Sequence, residues 1–418
     1  MKKVSIFLLC VIVLLPIGCA VDKADTSHDT ADEEPFYVVD LDISMGNVYD
    51  RQTFAETDDS LYCLDDGIVY VSDKAYKSFM PLCARPDCRH NSPDCNAYIG
   101  SGSMLLYGSW FYYLPVEELP AGEAVEAELW RMRLDGTEHE KVCVLPMPDV
   151  DRSVYRILLY AAISGKHIVY RTHCVKIELE TGDATTYESH MYSLDLESME
   201  VTELIKGLTA EESFLSANLL AGRGDKLYAQ IKPLESDPPY RIAEIDLTDG
   251  SYRILWNGSH ELRLYNRGVC LSGDTLQIID VDYETNTKTL YKIDINTCEI
   301  AVCGTGIAGQ SVWDTIDGAS GYFYAALGPT LDDPGQRGVY ICDMDMNVID
   351  FVPASDKPKG AKGQLIIGYI TEDYIFGLEP VGNYGGIYSY AYFNGVPRWY
   401  LEKADIGTGN LMWRRWEP

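Results

Sequence analysis

Positive charge is what this chain has least of. Its 418 residues include 34 Lys and Arg against 64 Asp and Glu, a formal net charge of −30. Such a surface repels nucleic acid and anionic lipid headgroups, and no local basic patch interrupts it, so no nucleic-acid partner is expected. Histidine is also scarce, at 7 residues, and the motifs Gly-x-Ser-x-Gly and His-Glu-x-x-His are both absent. Neither a nucleophile elbow nor a zinc-protease helix is therefore written in the sequence. Helical periodicity is nearly missing, which argues against a helical domain. Beyond the N-terminus no run is apolar enough to span a bilayer.

The N-terminus is the exception. Lys2 and Lys3 precede an apolar run over residues 4–17, which is short for a membrane span and right for a signal peptide. Gly18-Cys19 follows, with Leu14 and Leu15 just upstream. This resembles the lipobox of bacterial lipoproteins, in which the cysteine is lipidated, although Pro16 stands where Leu is usual. The expected division is a signal peptide over 1–18, then Cys19 and an acidic tether over 19–35, then one domain over 36–418. The stretch 20–35 holds six acids and one Lys, with Val21 as its one large apolar residue, too little to order itself. Removing the leader takes two lysines and no acid, which leaves 32 basic residues against 64 acidic.

The body is organised by a repeat. In RIAEIDLTDG, residues 241–250, apolar and charged residues alternate with the period of a half-buried strand. Thr248-Asp249-Gly250 then supplies a turn. Related stretches place a landmark at Asp73, Arg133, Asp195, Asp246, Asp294, Asp343 and Asp405, with successive spacings of 60, 62, 51, 48, 49 and 62 residues. A second hairpin signal precedes each landmark, as in LYCLDDGIVYVS before Asp73. Two hairpins per unit of this length make a propeller blade. The fold class expected is all-β, a β-propeller of seven blades, with six or eight also compatible. Residues 36–43 are expected to close the ring by completing a terminal blade. The repeated Asp is expected to cap its turn rather than bind a ligand.

One stretch does not fit the repeat. PLCARPDCRHNSPDCNAY, residues 81–98, holds Cys83, Cys88, His90 and Cys95. Three thiols and an imidazole suffice for tetrahedral zinc, and the Pro and Asn content gives a loop able to wrap an ion. Outside the cytoplasm the same cysteines can form disulfides, and free thiols are the third outcome. Ten cysteines remain once Cys10 and Cys19 are set aside. Two other motifs fail on context. Gly304-x-Gly306-x-x-Gly309 spells a dinucleotide fingerprint, but turn and strand patterns follow where a helix is needed. Asp343-x-Asp345-x-Asn347 starts like a calcium loop, but Val348 and Ala354 replace its Gly and Glu. His139, His167, His173, His190 and His260 have no partner spacing and read as structural.

With lipobox, tether and repeat in place, the chain resembles bacterial surface lipoproteins with a TolB-like or related propeller of six to eight blades. Residues 81–98 resemble a Cys/His segment found in propeller lipoproteins of Gram-positive anaerobes. The resemblance implies a protein anchored by lipid to the cell membrane, on its extracytoplasmic face, and supplies no catalytic residues. The function expected is binding or scaffolding of a protein or glycan partner. An extracytoplasmic lyase or hydrolase working in the central channel, and a structural role in envelope assembly, are the alternatives.

Overall fold

The seven landmarks mark seven four-stranded antiparallel units, each built from consecutive chain. The computed structural model describes residues 36–38, 52–74, 77–100, 102–116, 118–121, 126–151, 155–177, 184–204, 218–231, 241–257, 269–282, 287–306, 311–327, 337–361, 365–379 and 396–416. The leader, Cys19, the tether and Gly309 lie outside them. Contacts mark off Phe36–Pro418 as one unit, a seven-bladed β-propeller.

Blades I to VII cover residues 54–81, 105–144, 155–203, 218–257, 269–306, 311–353 and 366–415. First strands of neighbouring blades touch around the axis: Leu105–Gly108 meets Tyr155–Ser164, Asn218–Arg223 meets Val269–Ser272, and Ser311–Asp317 meets both Val269–Ser272 and Ile366–Ile370. The fourth strand of each blade is therefore at the rim. Between blades the packing is apolar, with Leu227, Ile245, Leu276, Ile293, Phe323 and Ile341 all fully buried. Each residue of that size gains about 2 kcal/mol by leaving water.

Local chemistry explains the landmark. In blades III to VI it ends the third strand, and its carboxylate turns inward on the hairpin that follows. Asp195 Oδ1 accepts from the backbone N–H groups of Glu197 and Ser198, and Asp294 Oδ1 from those of Asn296 and Thr297. Asp343 does the same for Asp345 and Asn347, so the calcium-like spelling there is a turn cap. In these turns the residue bonded back to the landmark carbonyl takes a left-handed φ: Met199, Gly250, Cys298 and Met346. Bulges at Leu255 and Cys303, in third-to-fourth hairpins, add to blade twist.

One expectation is corrected. The N-terminal strand does not complete a terminal blade. Tyr37 and Val38 pair with Gly108 and Tyr107, on the free inner edge of blade II. Blade I has its own four strands, Phe54–Glu56, Ser60–Asp65, Ile68–Asp73 and Ser78–Pro81, and its sheet edges were already complete. Blade II likewise sends Glu118–Leu119 to the inner edge of blade III. Inside the ring, the Gln52 side chain accepts a bond from the Ile163 amide, 3.0 Å away.

Antiparallel alternation sorts the connections. First-to-second and third-to-fourth turns share one side of the ring and are short, except that from Glu402 to Arg414 in blade VII. Second-to-third and interblade connections are mostly longer, such as 82–104, 232–240, 328–337 and 379–398. Blade III also has the longest strands, Tyr155–Ser164, His167–Ile177 and Ala184–Asp195, so its sheet outreaches its neighbours.

Candidate metal centre

The connection from blade I to blade II is the Cys/His stretch. It leaves Pro81 at the rim and returns to the axis at Leu105. Its return limb is held by backbone: Val69 N–H donates to Ala97 O and Ile99 N–H to Gly67 O, at 2.8 and 2.9 Å, and Tyr98 bridges Ile68. His139 of blade II grips the same limb from the other side. One ring nitrogen lies 2.8 Å from Asn96 O and the other 2.8 Å from the Tyr113 hydroxyl. Sequence spacing gave no hint of His139, because its partners come from other parts of the chain.

Held this way, Cys83, Cys88, His90 and Cys95 converge, with ligand atoms all within 4.8 Å of one another. Cys95 is buried and the other three are half-buried. Cys95 Sγ and His90 Nδ1 are 3.5 Å apart. Zinc at ordinary Zn–S and Zn–N lengths in a tetrahedron puts such a pair about 3.6 Å apart, so this edge of the site already has the right length. The sulfurs also carry the donors a thiolate needs. Cys88 Sγ accepts from the His90 N–H at 3.4 Å and from the Arg85 guanidinium at 3.5 Å, and Cys95 Sγ accepts from the Ala97 N–H at 3.4 Å. The His90 amide, helped by Arg85, brings the Cys88 thiol down to about 7. Burial foremost pushes Cys95 up to about 11, and a cation beside it would reverse that order. Three thiolates and an imidazole around a divalent ion leave one net negative charge, which Arg85 faces. The residues fit a metal. None of the ten cysteines among the described residues is in a disulfide.

Glycines let the loop lie flat on its neighbours. A Cβ at Gly67 would sit 2.8 Å from Gly100 O, one at Gly100 2.7 Å from Pro115 O, and one at Gly102 2.5 Å from Leu114 O. Three backbones are thus stacked at distances no side chain permits.

No protein-family model matches the chain, and no curated protein matches it. Among solved structures it is similar to an oligogalacturonate lyase in complex with manganese, at 10% identity over 82% of this chain and 93% of that one, TM-score 0.48. It is similar to the oligogalacturonate lyase of Vibrio parahaemolyticus at 8% identity, 82% and 94% coverage, TM-score 0.48. The β-propeller domain of the Trilobed protease from Pyrococcus furiosus gives 13% identity, 86% and 93% coverage, TM-score 0.41. Likeness at this level concerns fold, and none of their chemistry transfers.

Elsewhere in the ring, residues of catalytic type meet without a catalytic layout. Ser193 Oγ lies 3.0 Å from His167 Nδ1, and Asp225 Oδ1 lies 2.9 Å from His167 Nε2. The order is that of a triad, but the hydroxyl is buried while the Asp225 side chain is 53% exposed. A nucleophile must face substrate and its orienting acid must be sheltered, so this string is inverted. It ties blade III to the turn of blade IV. Gly304 and Gly306 end a rim strand, Ile300–Gly306, and the next described element is another strand, Ser311–Asp317. Their missing side chains make room for the turn of blade VI, whose Asp345 O would lie 2.4 Å from a Cβ at Gly304.

Proposed function

We propose that this protein is a lipid-anchored, extracytoplasmic β-propeller that binds or scaffolds a protein or glycan partner at the cell surface. Cys19 carries the lipid, residues 20–35 form the tether, and the propeller stands off the membrane. The TolB-like lipoproteins are the kind of protein it resembles. Within it, Cys83, Cys88, His90 and Cys95 hold a zinc ion. Four protein ligands fill a tetrahedron, so the site is a staple between blades I and II with no position left for substrate.

The observation that carries the binding role is connection length: the segments between second and third strands and between blades include 82–104, 232–240 and 379–398, against short turns at most of the other connections, and long propeller loops suit recognition. The test takes the full chain from envelope preparations through glycan-array binding and chemical cross-linking. A specific glycan or one reproducible cross-linked protein is expected. A glycan- or peptide-cleaving activity that copurifies with the chain, and disappears on substitution of a residue lining the axis, would sink the reading. The zinc is tested separately by native mass spectrometry. One zinc per chain is expected, lost in Cys88→Ser. A metal-free wild-type chain with disulfide mass deficits would make the stretch a covalent staple instead.

A further inference from the structure

The ring is closed between blade VII and blade I, where the chain is not continuous and, among the described residues, no strand is exchanged. Side chains make most of this seam, and the Asp65 carboxylate also accepts from the Val396 backbone N–H. Phe54 stacks on Tyr369 with ring centres 4.4 Å apart, and Thr53 Oγ1 meets the Tyr369 hydroxyl at 3.1 Å. Trp416 of blade VII donates its indole N–H to Ser72 Oγ of blade I at 3.1 Å.

Beside them is a box. Tyr374, Tyr400 and Trp416 stand nearly perpendicular to one another, with interplanar angles of 90°, 79° and 87° and ring centres 5.2 to 5.3 Å apart. One charged atom faces all three rings. Lys77 Nζ, from blade I, lies 4.7 Å from the Tyr374 centre, 4.9 Å from Tyr400 and 5.8 Å from Trp416. The same ammonium is 3.4 Å from the Tyr400 hydroxyl and 3.4 Å from Glu402 Oε1. Glu402 is held in turn by Arg414 Nη1 at 2.5 Å. Ring faces plus one carboxylate recognise an ammonium ion and not a neutral group of equal size.

Lys77 has φ 51°, a left-handed conformation in the tight turn after the landmark. The corresponding positions are Gly250 and Gly409 in blades IV and VII and Met199, Cys298 and Met346 in blades III, V and VI, so this turn takes a side chain in several blades and it is the three rings that set Lys77 apart.

We propose that Tyr374, Tyr400, Trp416 and Glu402 form an ammonium-recognition box, that Lys77 is its resident cation, and that this occupancy locks the ring shut. The box selects for charge, so it takes a small alkylammonium ion when Lys77 no longer fills it. The proposal is independent of the zinc and of the surface partner.

The experiment uses the full chain and follows amide exchange in Trp399–Glu402 and Ser78–Pro81, the strands on either side of the seam. Lys77→Met keeps the packed stem and removes the charge, and Lys77→Ala empties the box. Both are expected to speed exchange at the seam about tenfold, while exchange at Val69 and Ile99 stays unchanged. Propylammonium should restore protection to Lys77→Ala saturably, and propanol should not. Seam exchange in Lys77→Met equal to wild type overturns the lock. Equal rescue by propylammonium and propanol overturns the charge selectivity. Lys77→Met retains the packing, so its result stands even where Lys77→Ala does not fold.

Discussion

Blade I has two joints, and they are built on opposite principles. Toward blade II the chain is continuous, and the joint is backbone: strand-like pairing of 97–99 with 67–69, stacked glycines, and sulfur and imidazole drawn together for an ion. Toward blade VII the chain is broken, and the joint is made of large side chains: three perpendicular aromatics, a lysine and Trp416 buried to 1%. Where covalent connection limits how far two blades can separate, a thin joint of close approaches is enough. Where it does not, the closure must come from apolar area and directional contacts, because the full loop entropy of the ring opposes it.

The comparison can be broken at its strongest point first. Trp416→Ala should cost about 4 kcal/mol, from lost aromatic packing and the lost indole hydrogen bond to Ser72. Urea denaturation measures the loss, and amide exchange should place it at the seam. A uniform loss around the ring would mean that the seam is no separate joint. Gly100→Ala tests the other side. Its left-handed φ of 86° and the 2.7 Å approach to Pro115 O make the substitution cost about 3 kcal/mol. Here zinc retention should fall together with stability, whereas Trp416→Ala should leave zinc bound.

A pH titration provides a reference from blade III, which borders neither joint. Burial foremost, with the nearby Arg171 charge, lowers His173 from 6.5 to about 4. The unfolded chain therefore takes up this proton before the folded one does. Stability from this group is full above about pH 6.5 and is lost as pH falls toward about 4, by roughly 2 kcal/mol. His173→Asn should flatten that slope in urea midpoints measured across the range and leave seam exchange as in wild type. The smallest change expected is a gain. Met199 is 41% exposed and has φ 61°, so Met199→Gly should stabilise by about 1 kcal/mol. The same exchange at Lys77 should destabilise, and a thermal melt of each variant separates the two cases.

Much of this was legible in the chain. Period-2 alternation and Asp/Gly turns are local signals, and the seven landmarks fell at or just beyond the ends of seven third strands because a turn caps itself from residues two to four positions away. The residue set at 83–95 was legible for the same reason, being close in sequence. What surrounds it was not. His139 and Gly100 are ordinary letters until blade II is folded against blade I. The N-terminal strand was misplaced because a short extended segment pairs with whichever free edge lies near, and nothing in Tyr37–Val38 names blade II.

By itself, then, the sequence determined the class of fold, the repeat of its units, the chemistry of each turn and the ligand set offered to a metal, since each depends on neighbours along the chain, while the structure fixed the number of blades at seven. Only the tertiary structure decided how the ring closes, which edge takes the first strand, and that Lys77 meets three rings whose residues stand some 300 positions away. Closing a ring juxtaposes the two ends of the repeat, and no local pattern encodes a contact between residues that only closure brings within reach.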